Sequence, residues 1–107
     1  MDIADWRKKI DEIDRRLVEL LNQRAQAAHE IGRLKRGLDM PIYEPDRERI
    51  VFENVQKLNP GPLPGRDLVQ IFERIMDVMR KIQKEEIAPD TKAAAAADTE
   101  LDSEVND

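Results

Sequence analysis

The feature that most constrains this chain is a stripe of apolar residues that runs without a break through its first third. Trp6, Ile10, Ile13, Leu17, Leu20, Ala27, Ile31 and Leu34 follow one another in steps of four and three. Arg24 occupies the one place in the series where a ninth apolar residue would fall. Such heptad spacing marks a helix with a single apolar seam. Neither proline nor glycine interrupts the pattern before Gly32, so the spacing predicts one helix from about Ile3 to Arg36. At about 1.5 Å per residue, that helix is about 50 Å long. A compact body of about 90 residues has a radius of gyration near 12 Å and cannot enclose such a rod. The seam therefore calls for cover from another chain, and we expect an obligate homodimer in which the long helices pair, antiparallel and entwined with a third helix.

Two clusters of helix breakers divide the rest of the chain: Gly37-Leu38-Asp39-Met40-Pro41 and Asn59-Pro60-Gly61-Pro62-Leu63-Pro64-Gly65. Between them, Glu44-Pro45-Asp46 reads as a helix start, with proline at the first helical position and acids in the first turn. Ile50, Val51, Val55 and Leu58 give this short helix its apolar face. A third helix begins near Pro64 or Arg66 and runs to about Ile87, with Leu68, Ile71, Phe72, Ile75, Met76, Val78, Met79 and Ile82 on a broad apolar face. Pro89 ends it. The expected fold is all-α, long–short–long. The two loops and the broad third face argue against a plain coiled coil.

Residues 89–107 carry six acids against one base, which is the whole net charge of −5. Acidic and poor in large apolar groups, this segment cannot offset its own ordering entropy and is expected to be a disordered tail behind a folded unit of residues 1–88. The folded part is left electrically neutral, so it has no basic excess for nucleic acid. The absence of cysteine excludes disulfides and thiolate metal sites. No apolar run approaches the roughly 18 residues that span a bilayer. The first residues lack the basic and apolar regions of a signal peptide, and we expect a cytoplasmic protein.

Several polar residues stand where a simple bundle would not put them. Arg24 occupies a core position of the seam, where snorkelling, a buried ion pair and a ligand role are all open. Lys35 follows eleven residues later, three helical turns on, so the two project from nearly the same face with Cα atoms about 16 Å apart. That spacing suits two cations gripping a metabolite, or equally a solvated basic face shared with Arg33 and Arg36. Arg7 lies about 25 Å from Arg24 along the axis. It is out of reach of the same small ligand within one chain but able to reach a partner's site in an antiparallel dimer. Glu44, Arg47 and Glu48 cluster at the start of the short helix, where capping and ion pairing with Arg49 compete with a binding role. Gln83 extends the stripe Phe72, Met76, Met79, as a boundary residue or as a neutral donor facing a cavity. His29 lacks a second metal-capable partner at helical spacing and reads as a surface or packing residue. There is no glycine-rich phosphate loop and no Ser/His/Asp set. Cations, carboxylates and an amide without a nucleophile suit a reaction driven by binding and electrostatics.

The runs Trp6-Arg7-Lys8-Lys9-Ile10-Asp11-Glu12-Ile13-Asp14, Leu20-Leu21-Asn22-Gln23-Arg24 and Ile31-Gly32-Arg33-Leu34-Lys35 resemble the first helix of the all-α, type II chorismate mutases. Pro41-Ile42-Tyr43-Glu44-Pro45-Asp46-Arg47-Glu48-Arg49 is similar to the start of their second helix, and Leu68 to Gln83 to their third. The resemblance spans residues 5–86. It implies an intertwined homodimer whose two sites are each completed from the other chain, and the cofactor-free rearrangement of chorismate to prephenate. It further implies that Arg24, with Arg7 of the partner subunit, binds the two substrate carboxylates, with help from Arg47. Lys35 and Gln83 would donate hydrogen bonds to the breaking ether oxygen, and Glu48 would accept one from the ring hydroxyl. Glu44 stands where the family often has aspartate, and Met79 where many members have serine or alanine. Two other activities fit the same resemblance. In isochorismate pyruvate-lyases the position of Glu48 tends to be apolar, so this glutamate favours the mutase. A non-catalytic module associated with another enzyme of the aromatic pathway would have no reason to keep the polar set.

Overall fold

The computed structural model describes residues 1–85. They form three helices, α1 (Ile3–Leu38), α2 (Pro45–Leu58) and α3 (Gly65–Glu85). The tail expected beyond Pro89 and the helix end expected at Ile87 lie outside the described residues.

Helix α1 starts at a reciprocal cap. The Asp2 carboxylate accepts from the Asp5 backbone N–H at 2.9 Å, and the Asp5 carboxylate accepts from the Asp2 N–H at 3.2 Å. Both bonds satisfy donors that the first turn leaves unpaired. The far end lies two residues later than the glycine pattern suggested. Gly37 stays helical, and the chain turns at Asp39, which adopts the left-handed conformation with φ 58°. A short polar side chain tolerates that region better than most. The Asp39 and Met40 N–H groups then close the last turn on the Arg36 and Lys35 carbonyls at 3.3 and 2.8 Å. Helix α2 opens with Pro45 in its first turn, as its sequence indicates.

Packing is confined to one end of the molecule. Helix α3 lies against the C-terminal half of α1 and also against α2. The two backbones approach tightly at Gly32, where a Cβ would stand 2.9 Å from both Cα and the carbonyl oxygen of Gln83. Only hydrogen there lets the two backbones touch. Ala28, Val51, Met76 and Met79 form the small core. By contrast, every residue from 1 to 23 is exposed, including Trp6, Ile10, Ile13, Leu17 and Leu20 of the seam. The result measures 54 × 36 × 17 Å with a radius of gyration of 16.5 Å, against roughly 12 Å for a compact body of this length. No helix among the described residues is long and apolar enough to cross a membrane.

Candidate active site

Where α1, α2 and α3 converge they enclose a cavity of about 460 Å³. Its floor is apolar, made by Ala28, Val51, Met76 and Met79, and its walls are charged. Arg24 and Lys35 enter from α1, Glu44, Arg47 and Glu48 from the start of α2, and Arg80 and Gln83 from α3. Six of the seven residues singled out in the sequence thus meet in one place. The seventh, Arg7, does not line the cavity; it lies in the exposed half of α1. No group of His, Asp and Glu able to hold a metal ion occurs among the described residues, and His29 is half-buried in α1.

Lys35 is the best-anchored group. It is 6% exposed, and a buried ammonium needs a partner for each proton. It has three: the Ile42 carbonyl at 2.9 Å, the Gln83 Oε1 at 3.0 Å and the Glu44 Oε1 at 2.9 Å. Lysine can only donate, so the end of the Gln83 amide facing it is the oxygen. Nε2 is then the donor end of that side chain. A residue 48 positions away is fixed in orientation by the lysine, which spacing along the chain could not reveal.

Arg24 is half-buried, and its Nη2 lies 3.6 Å from the Met76 sulfur. Burial pushes its pKa below the ordinary guanidinium value, and the positive charge of Arg47 adds to the effect. Arginine still stays protonated at any physiological pH. The physical content of the shift is that two like charges have been drawn to one partly desolvated cavity, an arrangement that a bound anion relieves. Arg24, Lys35, Arg47 and Arg80 outweigh Glu44 and Glu48 by two positive charges around the cavity.

Glu48 does not pair along its own helix, one of the roles its position left open. Arg49 takes the intrahelical partners instead, Glu53 at 3.3 Å and Asp46 at 3.9 Å. The Glu48 carboxylate crosses to α3 and pairs with Arg80. Sequence reasoning missed Arg80, which also pairs with Asp77 and stands over the Tyr43 ring, 5.3 Å from its centroid. The hydrogen bond that Arg80 donates to Glu48 raises the pKa of Arg80, against the smaller effect of burial, and the charges of Glu48 and Asp77 raise it further. The signal was present: Arg80 is four residues after Met76 and three before Gln83, on the helix face that carries both.

Comparison with known proteins bears on the family and the fold. The family model for chorismate mutase type II matches residues 6–84. A bifunctional chorismate mutase/prephenate dehydratase of Aquifex aeolicus is 37% identical over 87 residues, 78% of this chain; the chain spans only 24% of that relative's length. A chorismate mutase of Methanocaldococcus jannaschii is 30% identical over 84 residues, covering 78% of this chain and 85% of the relative. Among solved structures, a chorismate mutase from Helicobacter pylori in complex with prephenate superposes with a TM-score of 0.74 at 27% identity, over 79% of this chain and 92% of that one. With three helices in the matching order and a match that runs from Trp6 to Lys84, the chain belongs to the type II chorismate mutase family.

Proposed function

We propose that the protein is a chorismate mutase, an isomerase that rearranges chorismate to prephenate on the route to phenylalanine and tyrosine. The observation that carries the reading is the Lys35–Gln83 pair at 3.0 Å, set in a cavity with an excess of two positive charges. Chorismate is a dianion, and two such charges match it. In the rearrangement the ether C–O bond breaks as a new C–C bond forms, all within one molecule, so no nucleophile and no proton transfer is required. Negative charge grows on the ether oxygen in the transition state. Donors aimed there bind the transition state more strongly than the ground state, and this difference is catalysis.

The placements support a role for each residue. Arg24 and Arg47 hold carboxylate, for which the guanidinium fork is suited. Lys35 and the Nε2 of Gln83 donate to the ether oxygen. All three Lys35 protons have acceptors, so a substrate oxygen must replace one of them. Glu44 is the one that yields: its side chain is 38% exposed, whereas the Ile42 acceptor is backbone. Glu48 accepts from the ring hydroxyl. Its presence favours the mutase over the isochorismate pyruvate-lyase reading.

The exposed seam supports an intertwined homodimer. An apolar stripe from Ile3 through Leu21 is open to solvent, far more than a stable single subunit leaves uncovered. A second copy running antiparallel would cover it and carry the partner's Arg7 to the open end of the cavity. The Aquifex relative joins chorismate mutase to prephenate dehydratase in one chain, which supports association of this protein with another enzyme of the aromatic pathway. The purified protein should consume chorismate, followed by ultraviolet absorbance, and its product should convert to phenylpyruvate in acid. A folded protein without turnover refutes the assignment, and pyruvate release from isochorismate replaces it with the lyase.

A further inference from the structure

Arg80 touches three parts of the molecule at once. Its Nη1 donates to Glu48 on α2 and its Nη2 to Asp77 on its own helix, while its guanidinium carbon stands over the Tyr43 ring in the α1–α2 connection. Its side chain is 29% exposed and that of Glu48 only 15%. A carboxylate so enclosed needs a hydrogen-bonded counter-charge to offset its burial and hold it in place. The other cations lining the cavity, Arg24, Lys35 and Arg47, have different work. Lys35 is shared among Ile42, Gln83 and Glu44, and Arg24 and Arg47 repel one another in the region that calls for an anion.

We propose that Arg80 is a positioning residue for catalysis, which holds the Glu48 carboxylate against the cavity wall so that its second oxygen accepts the hydrogen bond of the substrate's ring hydroxyl. The proposal rests on the chorismate mutase reading. Three details of the geometry support it. Arg80 binds Glu48 through Oε2, which leaves Oε1 for a ligand. Asp77, three residues earlier on α3, takes the other arm of the fork and tethers the guanidinium at the cavity wall. The guanidinium carbon also stands over the Tyr43 ring, 5.3 Å from its centroid, a third contact on the one group, and a lysine ammonium cannot reproduce the two-armed fork. Arg80 acts through Glu48 and need not touch the substrate.

A double-mutant cycle on the full chain separates this role from simple structural support. Steady-state turnover of chorismate is measured for the wild type, Arg80→Met, Glu48→Gln and the double variant, with Arg80→Lys as the conservative replacement. Circular dichroism and thermal melting establish that each is folded. Arg80→Met should lower kcat/KM by about 10- to 100-fold in the wild-type background, and by less than about threefold when Glu48 is already glutamine. Arg80→Lys should recover part of the loss, because it keeps the charge without the fork. Equal losses from Arg80→Met in both backgrounds, or wild-type kinetics for Arg80→Met, overturn the proposal. Should Arg80→Met fail to fold, Arg80→Gln in the two backgrounds makes the same comparison. An inactive wild type refutes the functional reading and this proposal with it; an active wild type with multiplicative losses refutes only this proposal.

Discussion

Replacing Gly32 by alanine would place a methyl group against the backbone of α3. Its Cβ would lie 2.9 Å from the Gln83 Cα and carbonyl oxygen and 3.1 Å from the Gln83 Cβ. Ordinary carbon contacts fall at about 3.5–4.0 Å, so the helices must part by about 0.5–1 Å at this point. None of the obstructing atoms is the far end of a flexible side chain. The strain costs about 1–3 kcal/mol by analogy with other overpacked sites, and the better helix propensity of alanine returns about 0.5–1 kcal/mol. The net loss of stability is therefore small, and the fold should survive. The functional loss should be much larger. Moving Gln83 by this distance stretches its 3.0 Å bond to Lys35 toward or beyond the limit of a hydrogen bond, about 3.5 Å, and carries Nε2 off its target. A misplacement of about 1 Å can cost about 100-fold in rate. Gly32→Ala should thus stay folded, melting up to about 15 °C below the wild type, yet show kcat/KM for chorismate lower by about 30- to 100-fold. Gly37 provides the control, since a Cβ there meets nothing within 4 Å. Gly37→Ala should keep full activity and gain up to about 1 kcal/mol of stability. A folded Gly32→Ala protein with kcat/KM within about twofold of the wild type would refute the claim that this close approach sets the position of Gln83.

Two further outcomes are expected. Lys35→Ala should lower kcat/KM by at least about 100-fold, as loss of a donor to a developing oxyanion does, while the helical circular dichroism signal persists; unchanged kinetics would remove Lys35 from the mechanism. Arg7→Ala and Arg24→Ala proteins should each be nearly inactive, but after denaturation and refolding together in equal amounts they should recover about a quarter of wild-type activity, because half the dimers are mixed and each of those holds one intact site. No recovery on mixing, or a well-folded single subunit in sedimentation, would show that the site is not shared.

The helices were legible because their signals are local. The four–three spacing from Trp6 to Leu34 and the proline at position 45 each depend on residues within a turn or two. The end of α1 was misplaced because glycine breaks a helix only where the chain needs a positive φ. That need falls on Asp39, not Gly37. The cavity residues of α1 could be recognised because Arg24 is a charged residue in an apolar seam. Arg80 was not recognised, because an arginine among the many charges of α3 is unremarkable until α2 is packed beside it. The orientation of Gln83 and the crossing of Glu48 to α3 likewise belong to contacts 48 and 32 residues apart. No periodicity encodes them.

The turn after α1 has a consequence for how such chains can vary. Lys35 grips the connection at both ends of its own residue: its carbonyl accepts from the Met40 N–H at 2.8 Å, and its ammonium donates to the Ile42 carbonyl at 2.9 Å. The length of this segment is thereby measured against a single side chain. One residue inserted between Met40 and Ile42 would pull the ammonium out of register, so changes in loop length here are coupled to chemistry. The connection between α2 and α3 has no such tie to the cavity. Asn59 organises it locally, donating to the Leu63 carbonyl and accepting from the Gly61 N–H. Insertions and grafted segments should be accommodated there, which makes residues 59–64 the natural place to lengthen the chain or to attach a label.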